Sequence, residues 1–145
     1  MRKFKKLIVL VIAITVLITE QVPVSAVTYA NFVYNKKLSL RVYETGEVKL
    51  IYKKKKYKLA DESACRFACF DKKGTVYLLM RNDALYGWDY KKQDEVELIR
   101  IVDEVSSVTT NDYGYVTGYK RYNQKEYKLT KKRKKKLWKK ALENK

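Results

Sequence analysis

Apolar and polar residues alternate along most of the chain between residues 38 and 129. Leu38, Leu40 and Val42 alternate with polar neighbours, and the same alternation resumes just after Gly46. A period of two residues places every second side chain on one face of a strand, so the pattern predicts half-buried β-strands. Gly46 can adopt the positive φ that a short loop needs, which predicts a β-hairpin over residues 38–52.

The remaining alternation predicts a total of about nine or ten short strands. Residues 53–56 are expected to form a charged turn, and the extended pattern resumes at residue 57. Later strands are expected at residues 65–70, 75–80, 84–90, 95–102, 105–110, 115–121 and 126–129. Asp71 and Asn111 stand in turns, where their side chains are expected to bond the local backbone. The sequence therefore predicts an all-β domain, an antiparallel meander with no helix between residues 27 and 130.

A glycine followed by a strand recurs along this domain. Asp71-x-x-Gly74 matches Asn111-x-x-Gly114 at a spacing of 40 residues, with four predicted strands between them. This repeat resembles the blades of β-propellers, each of which is a four-stranded antiparallel sheet. The resemblance covers residues 38–129 and implies one whole propeller-like blade over residues 65–104, flanked by incomplete ones.

The small number of blade-like repeats leaves several architectures open. A closed propeller needs at least about four blades, so a partial propeller would leave exposed sheet edges. Homo-oligomers could complete the ring, the strands could instead curl into a small barrel or sandwich, or lysine-rich edges could keep an open sheet apart from other chains. The sequence does not choose among these three outcomes.

The N-terminus has the organisation of a secretory signal peptide. Four basic residues lie within residues 2–6, and an apolar run follows at residues 7–18. Twelve helical residues span roughly 18 Å, which is short for a bilayer core of about 30 Å. Small residues occupy the positions before the bond that a signal peptidase would cut, which predicts cleavage after Ala26, with Val27 as the new N-terminus. The alternative is an uncleaved membrane anchor.

The expected organisation is a signal helix at residues 1–26, the all-β domain at residues 27–130 and a basic tail at residues 131–145. The mature protein is expected to be secreted or associated with the cell envelope. The leader and the lysine- and tyrosine-rich body are similar in style to exported proteins of low-GC Gram-positive bacteria.

Positive charge is concentrated at the C-terminus. The 145 residues include 33 basic and 16 acidic ones, for a formal net charge of +17, and residues 131–145 alone hold nine basic residues and one acidic residue. A helix there would carry one short apolar stripe around Trp138, and such basic amphipathic segments bind anionic surfaces. The residues predicted to contact an anionic cell-wall polymer or membrane surface are Lys131, Lys132, Arg133, Lys134, Lys135, Lys136, Trp138, Lys139 and Lys140. The alternatives are a solvated tail, or a stripe that docks on the β domain.

Aromatic residues suggest a second class of ligand. The chain has thirteen tyrosines, and Tyr86, Trp88 and Tyr90 follow one another in a single predicted strand. Exposed rings there could stack on sugars, which would make the protein a lectin-like, carbohydrate-binding module that self-associates. The alternative is that the rings pack across strands. Nucleic acid is not an expected partner, because the leader sends the chain away from the cytoplasm.

The residue types present give little indication of a catalytic site. The chain contains no histidine, which excludes Ser-His-Asp, Cys-His and histidine-metal sites. Cys65 and Cys69 are expected to lie in one strand, pointing to the same face as Phe67, too far apart for a disulfide. Adjacent acids such as Asp61 and Glu62 stand mostly in turns, where solvated carboxylates are ordinary. We therefore expect a non-catalytic binding or interaction module without a metal or cofactor.

Overall fold

The computed structural model describes residues 28–145, which form eleven strands and one helix. The strands are β1 (Tyr29–Asn35), β2 (Leu38–Tyr43), β3 (Val48–Tyr52), β4 (Lys55–Ala60), β5 (Cys65–Phe70), β6 (Val76–Met80), β7 (Leu85–Trp88), β8 (Ile99–Val102), β9 (Val105–Thr110), β10 (Val116–Arg121) and β11 (Glu126–Lys128). The helix is α1 (Lys131–Glu143). The signal peptide, including the predicted cleavage site at Ala26 and Val27, lies outside the described residues. No helix within residues 28–145 is long and apolar enough to cross a membrane.

The strands form three antiparallel sheets in chain order. Sheet A contains β1–β4, sheet B contains β5–β8 and sheet C contains β9–β11, and within each sheet every strand pairs with its neighbour in sequence. The predicted antiparallel, mostly β architecture and the short basic C-terminal helix are therefore confirmed. Among the described strands no sheet closes on itself, so the small-barrel alternative is wrong.

The predicted hairpin over residues 38–52 is present, with Leu40 opposite Leu50 and Gly46 at a φ of 94°. The next turn is shorter than the sequence suggested. Lys53 and Lys54 alone connect β3 to β4, and both adopt positive φ, at 51° and 69°. A two-residue hairpin turn requires this left-handed geometry, which glycine and asparagine usually supply, so the turn was hard to recognise in a run of lysines.

Strand β1 was missing from the predicted set. Its sequence, YANFVYN, is exposed at nearly every position, because β1 is the outer strand of sheet A. Two-residue alternation signals a strand only where one face is buried and the other is wet. An edge strand that is open on both faces therefore lacks the pattern on which the prediction depended.

The core consists of two apolar clusters, one on each face of sheet B. The first cluster, between sheets A and B, contains Leu38, Leu40, Val48, Leu50, Ala60, Cys65, Ala68, Phe70, Val76, Leu78 and Trp88. The second cluster, between sheet B, sheet C and α1, contains Cys69, Tyr77, Leu79, Leu85, Ile99, Val102, Val105, Val116, Tyr119 and Trp138. Sheet B is thus the middle layer, which explains why β6 is a continuous apolar run rather than an alternating one.

The two cysteines do not share a face, which corrects the prediction. The register of β5 against β6 shifts between Cys65 and Phe67, so Cys65 belongs to the first cluster while Phe67 and Cys69 pack in the second. An extra residue in a strand reverses the facing of everything beyond it. Both thiols are free and buried.

The two turns that carried the predicted repeat are built alike. Asp71 Oδ1 accepts from the backbone N–H groups of Lys73 and Thr75, at 2.8 and 2.9 Å, and Asn111 Oδ1 accepts from those of Tyr113 and Tyr115, at 2.9 and 3.0 Å. The side-chain turn chemistry expected at both positions is confirmed. Four strands lie between these turns, as predicted, but they are β6–β8 of sheet B and β9 of sheet C. The predicted blade over residues 65–104 corresponds to sheet B, and its resemblance to propeller blades stays a prediction.

Candidate functional site

The helix α1 forms in a segment whose charges oppose it. Thr130 is its N-cap, with Oγ1 accepting from the Arg133 N–H at 3.2 Å, but the first turn holds no acid to balance the helix dipole. Successive lysines also repel one another at spacings of three and four residues. The helix therefore depends on its contacts with the sheets.

The inner side of α1 is anchored by Trp138, which is 1 % exposed. Its ring meets Tyr77 edge to face at 5.6 Å, and its Nε1 donates to Gln93 Oε1 at 3.2 Å. Gly87 makes room for the indole, because a Cβ placed there would lie 2.7 Å from the ring. Trp138 thus completes the second core cluster, and the prediction that it contacts an external surface is wrong.

Lys134 also points inward and closes a buried ionic cluster. Its Nζ lies 3.3 Å from Asp71 Oδ2 and 3.1 Å from Asp89 Oδ2, and it donates to Thr75 Oγ1. The Lys134 side chain is 12 % exposed and that of Asp89 is 4 % exposed. Charges removed from water in this way must be paired and hydrogen-bonded, and this cluster meets both conditions. We call Lys134, Asp71, Asp89 and Thr75 the lysine lock.

The two carboxylates of the lysine lock also accept hydrogen bonds from backbone N–H groups, through the oxygens that Lys134 does not contact. Asp71 Oδ1 is already occupied by its own turn, and Asp89 Oδ1 accepts from the Lys91 N–H at 2.9 Å. Gln93 Oε1 accepts both from the Asp89 N–H, at 3.1 Å, and from the Trp138 indole. The turn after β5 and the loop after β7 are therefore shaped to receive α1.

The outer side of α1 presents lysines to solvent. Lys131, Lys132, Lys135, Lys136, Lys139 and Lys140 are exposed, and none of them forms an ion pair with a described residue. Lys132, Lys135, Lys136 and Lys139 recur at spacings of three and four residues, which places them on one face of the helix. We call these four residues the outer lysines.

Arg133 lies between the two sides of the helix. Its guanidinium stands 5.4 Å from the centre of the Tyr127 ring and donates to the Lys128 carbonyl at 2.8 Å. Of the nine tail residues predicted to contact an anion, Lys134 and Trp138 are therefore turned inward, Arg133 is engaged with sheet C and six lysines remain free to bind.

A cleft of about 620 Å³ runs beside α1. Ile101, Leu137 and Ala141 contribute apolar surface, and four basic and two acidic side chains also line it. Most of those charges are already matched: Arg100 pairs with Asp103 at 2.6 Å, and Lys145 pairs with Glu97. The cleft therefore shows little unbalanced charge to attract a ligand.

The three aromatic residues predicted to bind a ligand do not form a shared exposed platform. Trp88 is 1 % exposed in the first cluster, and its Nε1 donates to the Glu95 carbonyl at 2.9 Å. Tyr90 is half-buried beside Trp88 and Tyr52, with ring centres 6.5 and 6.2 Å away. Tyr86 is half-buried and its hydroxyl accepts from the Asn82 amide at 3.2 Å. The prediction that the Trp88 ring meets a ligand is wrong, since both of its faces are covered.

Nucleophilic and metal-binding groups are scarce in the described part of the chain. Burial raises the pKa of the Cys65 thiol to about 11, and burial also raises the pKa of Cys69, so at neutral pH both remain protonated and unreactive. Burial raises the pKa of Tyr77, whose hydroxyl has no hydrogen-bond partner among residues 28–145. No cluster of three or more potential metal ligands occurs within the same range.

Sequence reasoning missed the residues that place the helix. Asp71 was interpreted as a turn residue, which is correct for one of its oxygens, while the other oxygen binds Lys134, 63 positions away. Asp89 and Gln93 stood in a strand end and a polar turn with no signal of a buried role. No family model matches the chain, and neither a curated protein nor a solved structure matches it.

Proposed function

We propose that the protein is an exported, non-catalytic binding module that α1 holds against an anionic surface of the cell envelope. The observation that carries this proposal is the division of α1 into an anchored inner side and an outer side of unpaired lysines. A docked helix keeps those lysines in fixed positions, so less conformational entropy is lost on binding than with a free tail.

Lysines near an anionic surface each contribute about 1 kcal/mol of attraction, and the contribution falls within a Debye length of roughly 10 Å at moderate salt. The six exposed lysines of α1 suffice for reversible, salt-sensitive attachment. Because Trp138 lies in the core, the attachment is electrostatic and requires no insertion of an aromatic anchor.

The experiment compares retention on washed Gram-positive cells over a salt series. Deleting the tail would remove Trp138 and Lys134 from the core, so the outer lysines are instead replaced in K132Q/K135Q/K136Q/K139Q. The control, K58Q/R81Q/K120Q/K125Q, also loses four positive charges, from Lys58 and Lys120 in strands and from Arg81 and Lys125 in turns. We expect the outer-lysine variant to elute at clearly lower salt than both wild type and control. Equal elution of the two variants rejects the proposal.

A further inference from the structure

Because successive strands in each sheet are antiparallel, the turns that connect them lie alternately at the two ends of the sheet stack. At one end, the Lys53 N–H donates to the Lys37 carbonyl at 2.9 Å, joining the turns after β1 and β3. The Tyr34 hydroxyl donates to the Lys72 carbonyl at 3.3 Å, which brings in the turn after β5. Lys134 binds both Asp71 and Asp89 and so joins that turn to the loop after β7. Four connections from sheets A and B therefore meet at one end, where α1 also begins.

Each of these four connections contains two adjacent lysines. The pairs are Lys36 and Lys37, Lys53 and Lys54, Lys72 and Lys73, and Lys91 and Lys92. All eight side chains are exposed, and none forms an ion pair with a described residue. We call these eight residues the lysine end. The pairs are far apart in sequence, and only the fold brings them together.

The opposite end of the stack is close to neutral. Its turns are also joined in series: the Ser63 N–H donates to the Thr45 carbonyl at 2.6 Å, the Val105 N–H to the Asp83 carbonyl at 2.8 Å and the Tyr122 N–H to the Glu104 carbonyl at 3.3 Å. The acidic residues in these turns are Glu44, Glu47, Asp61, Glu62, Asp83, Asp103 and Glu104. Five of them pair with basic side chains: Glu47 and Asp61 with Lys58, Asp83 with Arg66, Asp103 with Arg100 and Glu104 with Arg121. Strands of about 20 Å separate the two ends, so unpaired positive charge is concentrated at the lysine end.

The acidic residues near the lysine end compensate little of its positive charge. Asp71 and Asp89 both pair with Lys134 inside the molecule, which leaves one negative charge of the three groups uncompensated. Asp94 and Glu95 line a surface depression with Lys92, Leu142 and Lys145, beside the C-terminal half of α1, so of the lysine end only Lys92 shares it with them. Asp112 is an exposed acid in the turn after β9. The lysine pairs thus remain the dominant charge of this surface.

An exposed aromatic residue stands at the same end. Tyr113 lies in the turn after β9 and is 87 % exposed. That turn belongs to this end because the Gly114 carbonyl accepts from Cys69 Sγ, at 3.1 Å, just before the turn after β5. Tyrosine side chains favour the headgroup region of a bilayer, where the ring is partly buried and the hydroxyl stays hydrated.

We propose that the lysine end docks on an anionic lipid bilayer. The inference adopts from the proposed function only the location at an anionic envelope, since its residues are distinct from the outer lysines of α1. Lysine pairs on separate turns of two sheets form a broad basic surface rather than a single groove, and a broad surface matches a plane of headgroups better than one polymer strand. The opposite end of the stack would then face away from the membrane, which fixes the orientation of the domain.

The experiment measures co-sedimentation of the exported protein, with its N-terminus determined by sequencing, on phosphatidylglycerol-containing and pure phosphatidylcholine vesicles. The test variant is K36Q/K37Q/K72Q/K73Q, and the control is again K58Q/R81Q/K120Q/K125Q. We expect binding only to the anionic vesicles, and a loss of at least about tenfold in the test variant relative to the control. A second variant, Tyr113→Ser, should weaken vesicle binding without changing the salt dependence.

Three results would overturn the inference. Equal weakening of the test and control variants would assign the binding to net charge. Equal binding of neutral and anionic vesicles would exclude the lysines as its cause. Tighter, lysine-end-dependent binding to soluble polyphosphate than to the vesicles would assign the surface to a polymer. The outer-lysine variant of α1 is measured in parallel, so that failure of the helix proposal is distinguished from failure of this one.

Discussion

Lys134 and Lys135 are neighbours in an unbroken basic run, yet their side chains, about 100° apart around α1, have different surroundings. Lys134 reaches two carboxylates and a hydroxyl under the helix, whereas Lys135 faces solvent without an acidic partner among the described residues. The difference arises from the turns beneath the helix and not from the run itself. A stretch of like-charged residues is therefore divided between a part that stabilises the fold and a part that we propose binds an anionic surface, and substitutions should separate the two.

The largest expected effect on stability comes from the inner side. Trp138→Ala removes a fully buried indole between Tyr77 and Gly87, and large-to-small changes of this kind cost about 3–5 kcal/mol. Urea denaturation of the variant and wild type measures the difference. Leu142→Ala, at a more exposed position of the same helix, is the control and should cost much less. A loss below about 1 kcal/mol for Trp138→Ala would contradict the anchored position of the helix.

The next effect concerns the lysine lock. Lys134→Ala leaves Asp71 and Asp89 facing each other without a counter-charge, which we expect to cost about 3 kcal/mol. Lys135→Ala is the matched control, since it removes the same charge from the outer side, and its effect should stay within about 0.5 kcal/mol. Both are measured by thermal and denaturant unfolding. Equal effects of the two substitutions would show that Lys134 is not buried as described.

The smallest effect on stability is expected from the outer side. K132Q/K135Q/K136Q/K139Q relieves repulsion between lysines three and four residues apart, so the free energy of unfolding should stay unchanged or rise by a few tenths of a kcal/mol. Circular dichroism and denaturant unfolding measure helix content and stability. A marked loss of either would mean that these four side chains belong to the fold, and would weaken their assignment to binding.

Much of the sheet structure could be predicted, because a strand that is buried on one face alternates apolar and polar residues in the sequence. The strand Val105–Thr110 was expected at its observed bounds, and the hairpin around Gly46 was correct. The pattern failed where its cause is absent: β1 is exposed on both faces, and the bulge after Cys65 shifts the facing of side chains without changing residue types.

The helix was predictable as an element but its contacts were not. A run of six basic residues contains nothing that marks the fourth as buried, since burial depends on where Asp71 and Asp89 lie in space. Three of the four lysine pairs stood in predicted polar turns, whereas Lys36 and Lys37 preceded the first predicted strand. Their convergence depends on strand lengths and sheet order, which a single sequence does not encode in any local pattern.

The position of the lysine lock near the C-terminus also bears on how the chain matures. Contacts between residues 71, 89 and 134 form only after α1 has been synthesised, and such distant pairings are slow to form. Until then the part of sheet B that receives Trp138 lacks the cover that α1 supplies. A partly synthesised chain therefore cannot complete the second core cluster until α1 is present.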